Sequence, residues 1–439
     1  MIEGEPAIDV WAMDIARFGG YASPQYGTVK STENYERRFK LTFPNETLPK
    51  GRCQRTTSLY DRLTAQGAVW GDSFGLEHAL WFANDAEDAH EEPTFLRSRA
   101  HDYVALEVRA VREQVGMIEI ANFAKHHFKG PDARSYLDYL MAGTIPRAGR
   151  INLTPMLSPG GKLYGDLTVA CLDEDEFLVL GSGVAQEMHR RWFEQHLDAF
   201  DVRYRNASSR YHGIAISGPN SRELLSRLVR EDVSSERFRF RDVRRGFVAG
   251  VPAIVNRISF SGELGYEIYV EPEYQLKLYQ SLLEAGQDLG LRHYGNRALM
   301  SLRLEKNWGA WTLDYRPDFT AHESGMDFFI KWDKEFIGRE RALQEKASGP
   351  EKRLVTMTLQ TDSIDVSGDE AIISGEDCVG FVTSGGYAHY VDHSMALGYV
   401  PAELAQADAE LAVEINGERY TAGIVEQPLY DPRGERMRG

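Results

Sequence analysis

The chain contains few cysteines and no long apolar run. Its 439 residues include only Cys53, Cys171 and Cys378, which lie far apart and form no Cys-x-x-Cys pair. This spacing argues against a disulfide framework and against a zinc site, and we expect all three thiols to be buried. No run of about eighteen or more apolar residues occurs, so no transmembrane helix is predicted.

An excess of positive charge is also missing. Residues 1–5 are acidic, where a secretory signal would be basic and then apolar, and we therefore expect a cytoplasmic protein. The formal net charge of −16 repels phosphate backbones and anionic lipid. Neither nucleic acid nor a membrane is expected as the main partner, although a polyanionic cofactor tail could bind in a local basic pocket.

The familiar cofactor fingerprints are absent as well. No Gly-x-Gly-x-x-Gly follows a strand, and the chain has neither a Walker loop nor a His-Glu-x-x-His motif. Dinucleotide, nucleotide and zinc-protease functions therefore lose their usual support. His126 and His127 are adjacent, so their rings point apart on a helix or a strand and would be poor joint metal ligands. We interpret them as surface or core histidines and predict no metal site.

The order of predicted elements indicates a mixed chain. Residues 1–90 are dense in aromatic and turn residues, which predicts short elements that pack on something larger. Apolar periodicity predicts a helix then a strand (103–120), a helix (134–141), an antiparallel hairpin (151–182) and a helix (186–196). From residue 354 short alternating runs predict a small β-barrel or sandwich. Without strict βαβ alternation, the expected class is α+β.

A short unit recurs weakly along the chain. Gly130 and Pro131 precede one predicted helix, and Gly218 and Pro219 follow a strand-like run and precede another helix at 221–228. This recurrence predicts two related half-domains.

Two glycine-containing clusters place a carboxylate at the start of a strand. Asp166 follows the Gly-rich turn of residues 158–165, where burial is costly unless the acid has partners or a task. The pattern alone allows an Asp that bonds turn amides or a catalytic Asp. In residues 257–270, strand alternation puts Tyr266 on one face and Glu267 on the other. Glu267 suits a flat heteroaromatic ligand with two parallel N–H groups, or is an exposed acid of a β-turn.

A third cluster, residues 301–311, contains Arg303 and Trp308. It leaves an apolar helical stripe and enters a tryptophan-bearing loop. Taken alone, it indicates only the end of a helix.

In this order the clusters resemble the T-protein family, the tetrahydrofolate-dependent aminomethyltransferases of glycine cleavage. The chain is more similar still to the C-terminal half of the dimethylglycine and sarcosine dehydrogenases. The resemblance rests on residues 129–133 (KGPDA), 160–169 (GGKLYGDLTV), 216–219 (ISGP), 261–267 (SGELGYE), 301–306 (SLRLEK), 336–338 (FIG) and 382–386 (VTSGG). Residues 1–90 look like the segment that joins the flavin domain to the folate domain in those dehydrogenases.

The resemblance implies a folate module of two related α+β subdomains (91–345) followed by a C-terminal β-barrel (346–439), with the pterin in a central channel. Asp166 matches the family's catalytic aspartate, and Glu267 matches the glutamate that binds the pterin. The other cofactor-binding residues it implies are Phe260, Arg303, Ser182, Tyr266 and Trp308. Phe260 stands where the dehydrogenases usually carry Tyr, and Ser182 stands where glycine-cleavage enzymes carry Asn.

The implied activity is transfer of a methylene (iminium) unit from an N-methyl amine, such as dimethylglycine or sarcosine, to tetrahydrofolate. The product would be 5,10-methylenetetrahydrofolate. The flavin-binding portion of the dehydrogenases has no counterpart in the sequence, so the implied oxidant is a separate FAD-dependent oxidoreductase subunit docked through residues 1–90. Two alternatives stay open. One is a direct S-, O- or N-demethylase that forms 5-methyltetrahydrofolate, and the other is a non-catalytic folate-binding protein.

Overall fold

A computed structural model of the chain describes residues 8–44 and 46–439. The acidic start at residues 1–5 lies outside the described residues. Among those that are described, no helix is both long and apolar enough to cross a bilayer.

Helices occur along the whole length of the described chain. The α-helices are α1 (Pro24–Glu36), α2 (Tyr60–Thr64), α3 (Ala100–Glu113), α4 (Ala133–Leu140), α5 (Gln186–Gln195), α6 (Ser221–Ser226), α7 (Pro272–Gly286), α8 (Asn296–Leu304), α9 (Arg339–Ser348) and α10 (Glu435–Arg438). Short 3-10 segments run over Trp11–Met13, Ile15–Tyr21, Ala86–Asp88, Gly183–Ala185, Gln287–Leu289, Asp327–Phe329 and Ala402–Leu404.

The strands alternate with these helices irregularly. They are β1 (Ala68–Ser73), β2 (Leu76–Phe82), β3 (Val115–Glu119), β4 (Ala124–Lys129), β5 (Ile151–Leu157), β6 (Leu163–Asp173), β7 (Glu176–Gly181), β8 (Arg203–Asn206), β9 (His212–Ser217), β10 (Val243–Val248), β11 (Val251–Asn256), β12 (Gly265–Val270), β13 (Leu291–His293), β14 (Lys352–Leu359), β15 (Ala371–Ser374), β16 (Asp377–Ala388), β17 (His393–Pro401), β18 (Leu411–Ile415) and β19 (Glu418–Ile424).

These strands form a hairpin, two open sheets and a barrel. β1 pairs with β2. The first sheet has the order β5-β6-β7-β4-β8, and the second has the order β10-β11-β12-β9-β3-β13, in which only β13 runs parallel to its neighbour. The barrel closes in the order β14-β17-β16-β15-β18-β19 around a core that includes Met357, Val382 and Val413. The predicted α+β class and C-terminal barrel are confirmed.

The predicted repeat is confirmed as one unit in each sheet. β4 leads through Gly130 and Pro131 into α4, and β9 leads through Gly218 and Pro219 into α6. The two glycines have φ angles of +151° and +130°. A Cβ at Gly130 would lie 2.4 Å from the carbonyl oxygen of Asp201, and one at Gly218 would lie 2.5 Å from that of Gln114. Only glycine fits such backbone contacts.

The part of the chain before residue 90 contains a set of buried residues that pack on the core and a set of exposed apolar residues. Trp81 of β2 is fully buried and stacks on Tyr103 of α3 with ring centroids 5.2 Å apart, and Leu59 and Leu63 join the core of the second sheet. Tyr26 of α1 is also buried. A set of eight apolar residues before residue 42, here called the N-terminal apolar residues, is in contrast exposed. They are Ile8, Val10, Met13, Ile15, Val29, Tyr35, Phe39 and Leu41. The domain boundaries at residues 90 and 345 stay a prediction.

The expectation of three buried thiols is wrong for two of them. Cys171 in β6 is buried, whereas Cys53 and Cys378 are exposed. Cys53 lies in the connection before α2, and Cys378 lies beside the turn between β15 and β16. Neither position belongs to a core.

Candidate functional site

A cavity of about 1780 Å³ lies where the two sheets meet the barrel. Its wall combines side chains from β6 and β7 of the first sheet, from β12 of the second sheet, from the loop of residues 308–315 and from β16 of the barrel. Six of the seven site residues predicted from sequence line it: Asp166, Ser182, Phe260, Glu267, Arg303 and Trp308.

Asp166 reaches the cavity because β6 alternates. Its neighbours Gly165 and Leu167 are buried, and Leu167 belongs to the core of the first sheet, whereas Asp166 and Thr168 line the cavity. The Asp166 carboxyl group accepts a hydrogen bond from its own backbone amide, and burial raises its pKa to about 7. The group can therefore hold or release a proton near neutral pH.

Glu267 reaches the same cavity from the second sheet. The Tyr269 hydroxyl donates to Glu267 Oε2 at 2.9 Å, and both side chains line the cavity. Asn256 stands opposite Glu267 in the β11–β12 ladder. Burial raises the pKa of Glu267 to about 7, although Tyr269, Asn256 and the charge of Lys125 act to lower it. The arrangement presents a carboxylate to a ligand that carries N–H donors.

Tyr266 does not line the cavity. It lies on the opposite face of β12, fully buried in the core of the second sheet, with its ring centroid 5.7 Å from that of Phe238. The side-chain period of two in a strand separates adjacent residues. The same alternation that brings Glu267 into the cavity removes Tyr266 from it, so the structure gives this residue a packing position.

Phe260 and Trp308 form an aromatic wall. Their rings stack with centroids 5.9 Å apart and an interplanar angle of 26°. Offset aromatic pairs of this kind favour flat ligands, because a further ring can pack against the same faces. Ser182 lies at the end of β7, directly before the 3-10 segment Gly183–Ala185.

The Arg303 guanidinium is held by the protein itself. Its Nη1 donates to Asp314 Oδ2 at 2.8 Å and to the Trp308 carbonyl oxygen at 2.9 Å, and its Nη2 donates to Ser384 Oγ at 2.8 Å. Asp314 also accepts from the Ala310 amide at 2.9 Å. Arg303 thus fixes the tryptophan-bearing loop against the barrel at the edge of the cavity.

Sequence reasoning missed three functional residues, namely Tyr269, which lines the cavity, and Asp314 and Lys125, which do not line it but contact residues that do. Tyr269 was recognisable, because alternation places it on the face of Glu267. Asp314 and Lys125 carried no signal, since one lies in an irregular loop and the other is a single lysine in a strand. Lys125 is fully buried, and burial lowers its pKa to about 7.

The two adjacent histidines point apart. His126 is buried in the first sheet, and its Nδ1 lies 2.9 Å from the Tyr204 hydroxyl, whereas His127 Nε2 lies 2.8 Å from Glu176 Oε1. No group of three or more metal-ligating side chains is found among residues 8–44 and 46–439.

Comparison with known families identifies the class of the chain. Residues 59–334 match the GCVT N-terminal domain, and residues 352–431 match the glycine cleavage T-protein C-terminal barrel domain. Residues 3–57 match the FAD dependent oxidoreductase central domain. The first match covers more than half of the chain, so the protein belongs to the glycine cleavage T-protein family.

Individual relatives agree with this assignment. The chain is 34% identical over 435 residues to human mitochondrial dimethylglycine dehydrogenase, which covers 98% of the chain and 50% of that protein. It is 28% identical over 383 residues to the aminomethyltransferase of Desulfitobacterium hafniense, covering 87% of the chain and 99% of that protein. The chain thus spans about half the length of the dimethylglycine dehydrogenase and corresponds to its C-terminal half.

A solved structure shows the same fold. The glycine cleavage system aminomethyltransferase T from Bartonella henselae superposes with a TM-score of 0.75 at 20% sequence identity, over 86% of this chain and 98% of that one. The predicted arrangement of α+β subdomains and barrel is therefore confirmed.

Proposed function

We propose that the chain transfers a one-carbon unit from an N-methyl amine, such as dimethylglycine or sarcosine, to tetrahydrofolate in the cytoplasm. The observation that carries this proposal is the pair Asp166 and Glu267. The two buried carboxyl groups face one cavity from two sheets, each with a pKa near 7. Perturbed acids that line a common cavity mark functional sites.

The residues present fit a reduced folate. Glu267 is an acceptor when it is ionised, and a pterin edge presents paired N–H donors to such a group. Phe260 and Trp308 supply a flat apolar wall beside it. The volume of about 1780 Å³ exceeds the roughly 300 to 1,000 Å³ of ordinary ligand sites, which leaves space for a one-carbon donor as well as the folate.

Tetrahydrofolate, when bound, supplies the two nitrogen nucleophiles that take up the carbon. For a methylene iminium donor, one folate N–H proton leaves with the demethylated amine and the other is released. The Asp166 carboxylate is the group placed to accept that second proton, because its raised pKa makes it a better base than an exposed aspartate. The product is 5,10-methylenetetrahydrofolate.

The donor requires an oxidant, and we propose a FAD-dependent oxidoreductase as partner. Residues 3–57 match part of such an enzyme, and the N-terminal apolar residues within this segment are exposed. The human relative is by name a dehydrogenase of dimethylglycine and is about twice as long as the matched region. Oxidation and transfer would then be divided between the partner and this chain.

The first experiment is folate binding followed by turnover. Saturating tetrahydrofolate under anaerobic conditions, at a hundred times its dissociation constant, should stabilise the chain by about 2.7 kcal/mol in a melting experiment. Product analysis with dimethylglycine and a candidate flavoprotein should then show 5,10-methylenetetrahydrofolate. An unmoved melting curve would remove the folate assignment. Formation of 5-methyltetrahydrofolate without a flavoprotein would instead establish a direct demethylase, and binding without any product would establish a folate-binding protein.

A further inference from the structure

Lys125 is a buried lysine whose hydrogen-bond partners carry no negative charge. Its side chain is fully buried, and its Nζ donates to two backbone carbonyl oxygens, at 2.9 Å to Ala121 and 3.3 Å to Ile120. Burying an ammonium group without a carboxylate in contact is costly. A buried lysine in such a place is a candidate for a role that depends on its charge.

The groups that face Lys125 come from three strands and connect it to the ligand site. Its Nζ lies 5.9 Å from the ring centre of Tyr269, and the Tyr269 hydroxyl donates to Glu267 Oε2. Glu119 of β3 and Glu267 of β12 are the carboxylates that favour the charged lysine, and His212 of β9 is a basic group on the same side.

The two carboxylates differ in what else holds them. Glu119 Oε1 accepts a hydrogen bond from Gln275 Nε2 at 2.5 Å, and Gln275 Oε1 in turn lies 3.1 Å from His212 Nδ1. Glu119 therefore belongs to a polar network outside the cavity. Glu267 lines the cavity and is bonded by Tyr269, so it is the carboxylate whose charge a ligand would sense.

We propose that Lys125 is a positioning residue that keeps Glu267 ionised, so that the carboxylate accepts both N–H groups of a pterin. The inference rests on the proposed function. It states that Lys125, a residue outside the cavity, controls the charge of Glu267, the group proposed to bind the pterin. A protonated Glu267 would present an O–H donor to the donors of the pterin, and one acceptor would be lost.

The sign of the effect follows from the nearby charge. An ammonium group favours the ionised acid and lowers its pKa, while burial raises it, and the net pKa of Glu267 is about 7. Removing the ammonium leaves only the Tyr269 and Asn256 hydrogen bonds to oppose burial, so the pKa of Glu267 should rise further. Because Glu119, Lys125 and Glu267 all titrate near pH 7, the cluster loses its protons in coupled steps.

The test is the pH dependence of tetrahydrofolate binding by the full chain. In the wild type, affinity should rise with pH and level off above neutrality. In Lys125→Met, which keeps the length of the side chain and removes its charge, the midpoint should move up by about one pH unit. Binding should then be roughly fivefold weaker at pH 7, roughly tenfold weaker well below that pH, and nearly equal to that of the wild type at pH 9.

Two further variants separate charge from packing. Lys334→Met removes another largely buried ammonium away from the cavity. Lys334 donates to the Asp138 and Met141 carbonyl oxygens and pairs with the Asp138 carboxylate at 3.0 Å, so its loss should lower the melting temperature without moving the midpoint. In the Glu267→Gln background, Lys125→Met should cost no additional affinity, because no carboxylate remains to be ionised. If Lys125→Met does not fold, Lys125→Gln supplies the same comparison, alone and in the Glu267→Gln background.

The outcomes are distinct. A raised midpoint in Lys125→Met that disappears in the Glu267→Gln background supports the inference. An unmoved midpoint, or an equal loss of affinity at every pH, overturns the role of Lys125 and leaves the proposed function standing. A wild-type chain that binds no tetrahydrofolate at any pH overturns the proposed function and this inference with it.

Discussion

Burial affects Asp166 and Glu267 alike, although we propose different tasks for the two carboxyl groups. Both have pKa values raised to about 7 because water is excluded around them. Glu267 is bonded by Tyr269 and lies near a buried ammonium, which favours the ionised form that accepts N–H groups. Asp166 accepts a bond only from its own amide within the described structure, so it remains free to exchange a proton.

Asp166→Asn should reduce turnover without reducing folate affinity. The amide is isosteric but cannot take a proton, and general acid–base participation is worth about a hundredfold to ten-thousandfold. The loss should appear in kcat rather than KM, measured by product formation with the flavoprotein and dimethylglycine. Because an ionised Asp166 is buried at cost, the Asn variant should melt no earlier than the wild type above pH 7.

A control for this prediction lies on the same strand. Asp173→Asn changes an exposed acid at the end of β6, outside the cavity, and should leave kcat unchanged. If Asp166→Asn melts early and loses affinity together with rate, Asp166 is structural. Full activity in the Asn variant would exclude it from the mechanism.

Glu267→Gln should weaken tetrahydrofolate binding by about 1.5 to 3 kcal/mol, since a charge-assisted hydrogen bond is lost and an amide donor faces the pterin donors. Isothermal titration at pH 8 measures the change. Glu107→Gln is the matched control, because Glu107 is also buried with a pKa raised to about 8 but bonds the Phe82 and Gly295 amides outside the cavity. It should alter stability and not affinity. Unchanged binding in Glu267→Gln would place that residue outside the ligand site.

At the scale of elements, the end of α8 joins the sheets to the barrel. Arg112 of α3 donates to Glu305 Oε2 at 2.7 Å and to Glu263 Oε1 at 3.1 Å, and all three groups are almost fully buried. Glu305 also accepts from the Tyr390 amide of the barrel at 2.8 Å. Beside them, Ser301 Oγ donates to the Tyr387 carbonyl oxygen at 2.8 Å. The motif at 301–306 therefore holds the cavity wall together.

Arg112→Met should lower the free energy of unfolding by about 3 to 5 kcal/mol, because two buried carboxylates lose their shared partner. Arg109→Met is a control on the same helix. Arg109 is exposed and lies 4.0 Å from Glu113, so its loss should stay within about 0.5 kcal/mol. Urea denaturation of both variants measures the difference. Equal values for the two would show that the buried network contributes little.

Helices and strands could be predicted from the sequence wherever hydrophobic periodicity or turn residues gave a strong signal. The helix after Gly130, the strand and helix around Gly218, the antiparallel pairing within residues 151–182 and the barrel were all predicted, because local pattern determines each of them. The prediction that Asp166 and Glu267 share one site came from the family resemblance, because strands of different sheets meet only through tertiary packing. Arg303 bonds Ser384 and Lys125 lies beside Tyr269, so both environments include residues far away in the chain and had no local signal.

Across the whole molecule, exposed apolar side chains are unevenly distributed. The N-terminal apolar residues include Phe39, which is 95% exposed, and Ile15, which is 85% exposed. They fall within the residues that match the FAD dependent oxidoreductase central domain. Such a concentration of exposed apolar groups is typical of a surface that another protein covers, and the net charge of −16 makes an acidic membrane an unfavourable alternative.

Phe39→Ser should weaken association with a FAD-dependent oxidoreductase that oxidises dimethylglycine or sarcosine. Aromatic residues at the centre of an interface contribute about 2 kcal/mol or more, so the dissociation constant should rise roughly thirtyfold, measured by sedimentation of the mixed proteins. Phe247→Ser is the control, because Phe247 is 60% exposed and belongs to β10 of the second sheet rather than to the N-terminal segment. Tetrahydrofolate affinity should be unchanged in both, since neither residue lines the cavity.

Coupled product formation should fall in Phe39→Ser and recover at high flavoprotein concentration, because the defect lies in encounter rather than chemistry. Equal association by the two variants would place the partner surface elsewhere, and a Phe39→Ser protein that loses folate binding would show that the segment supports the fold.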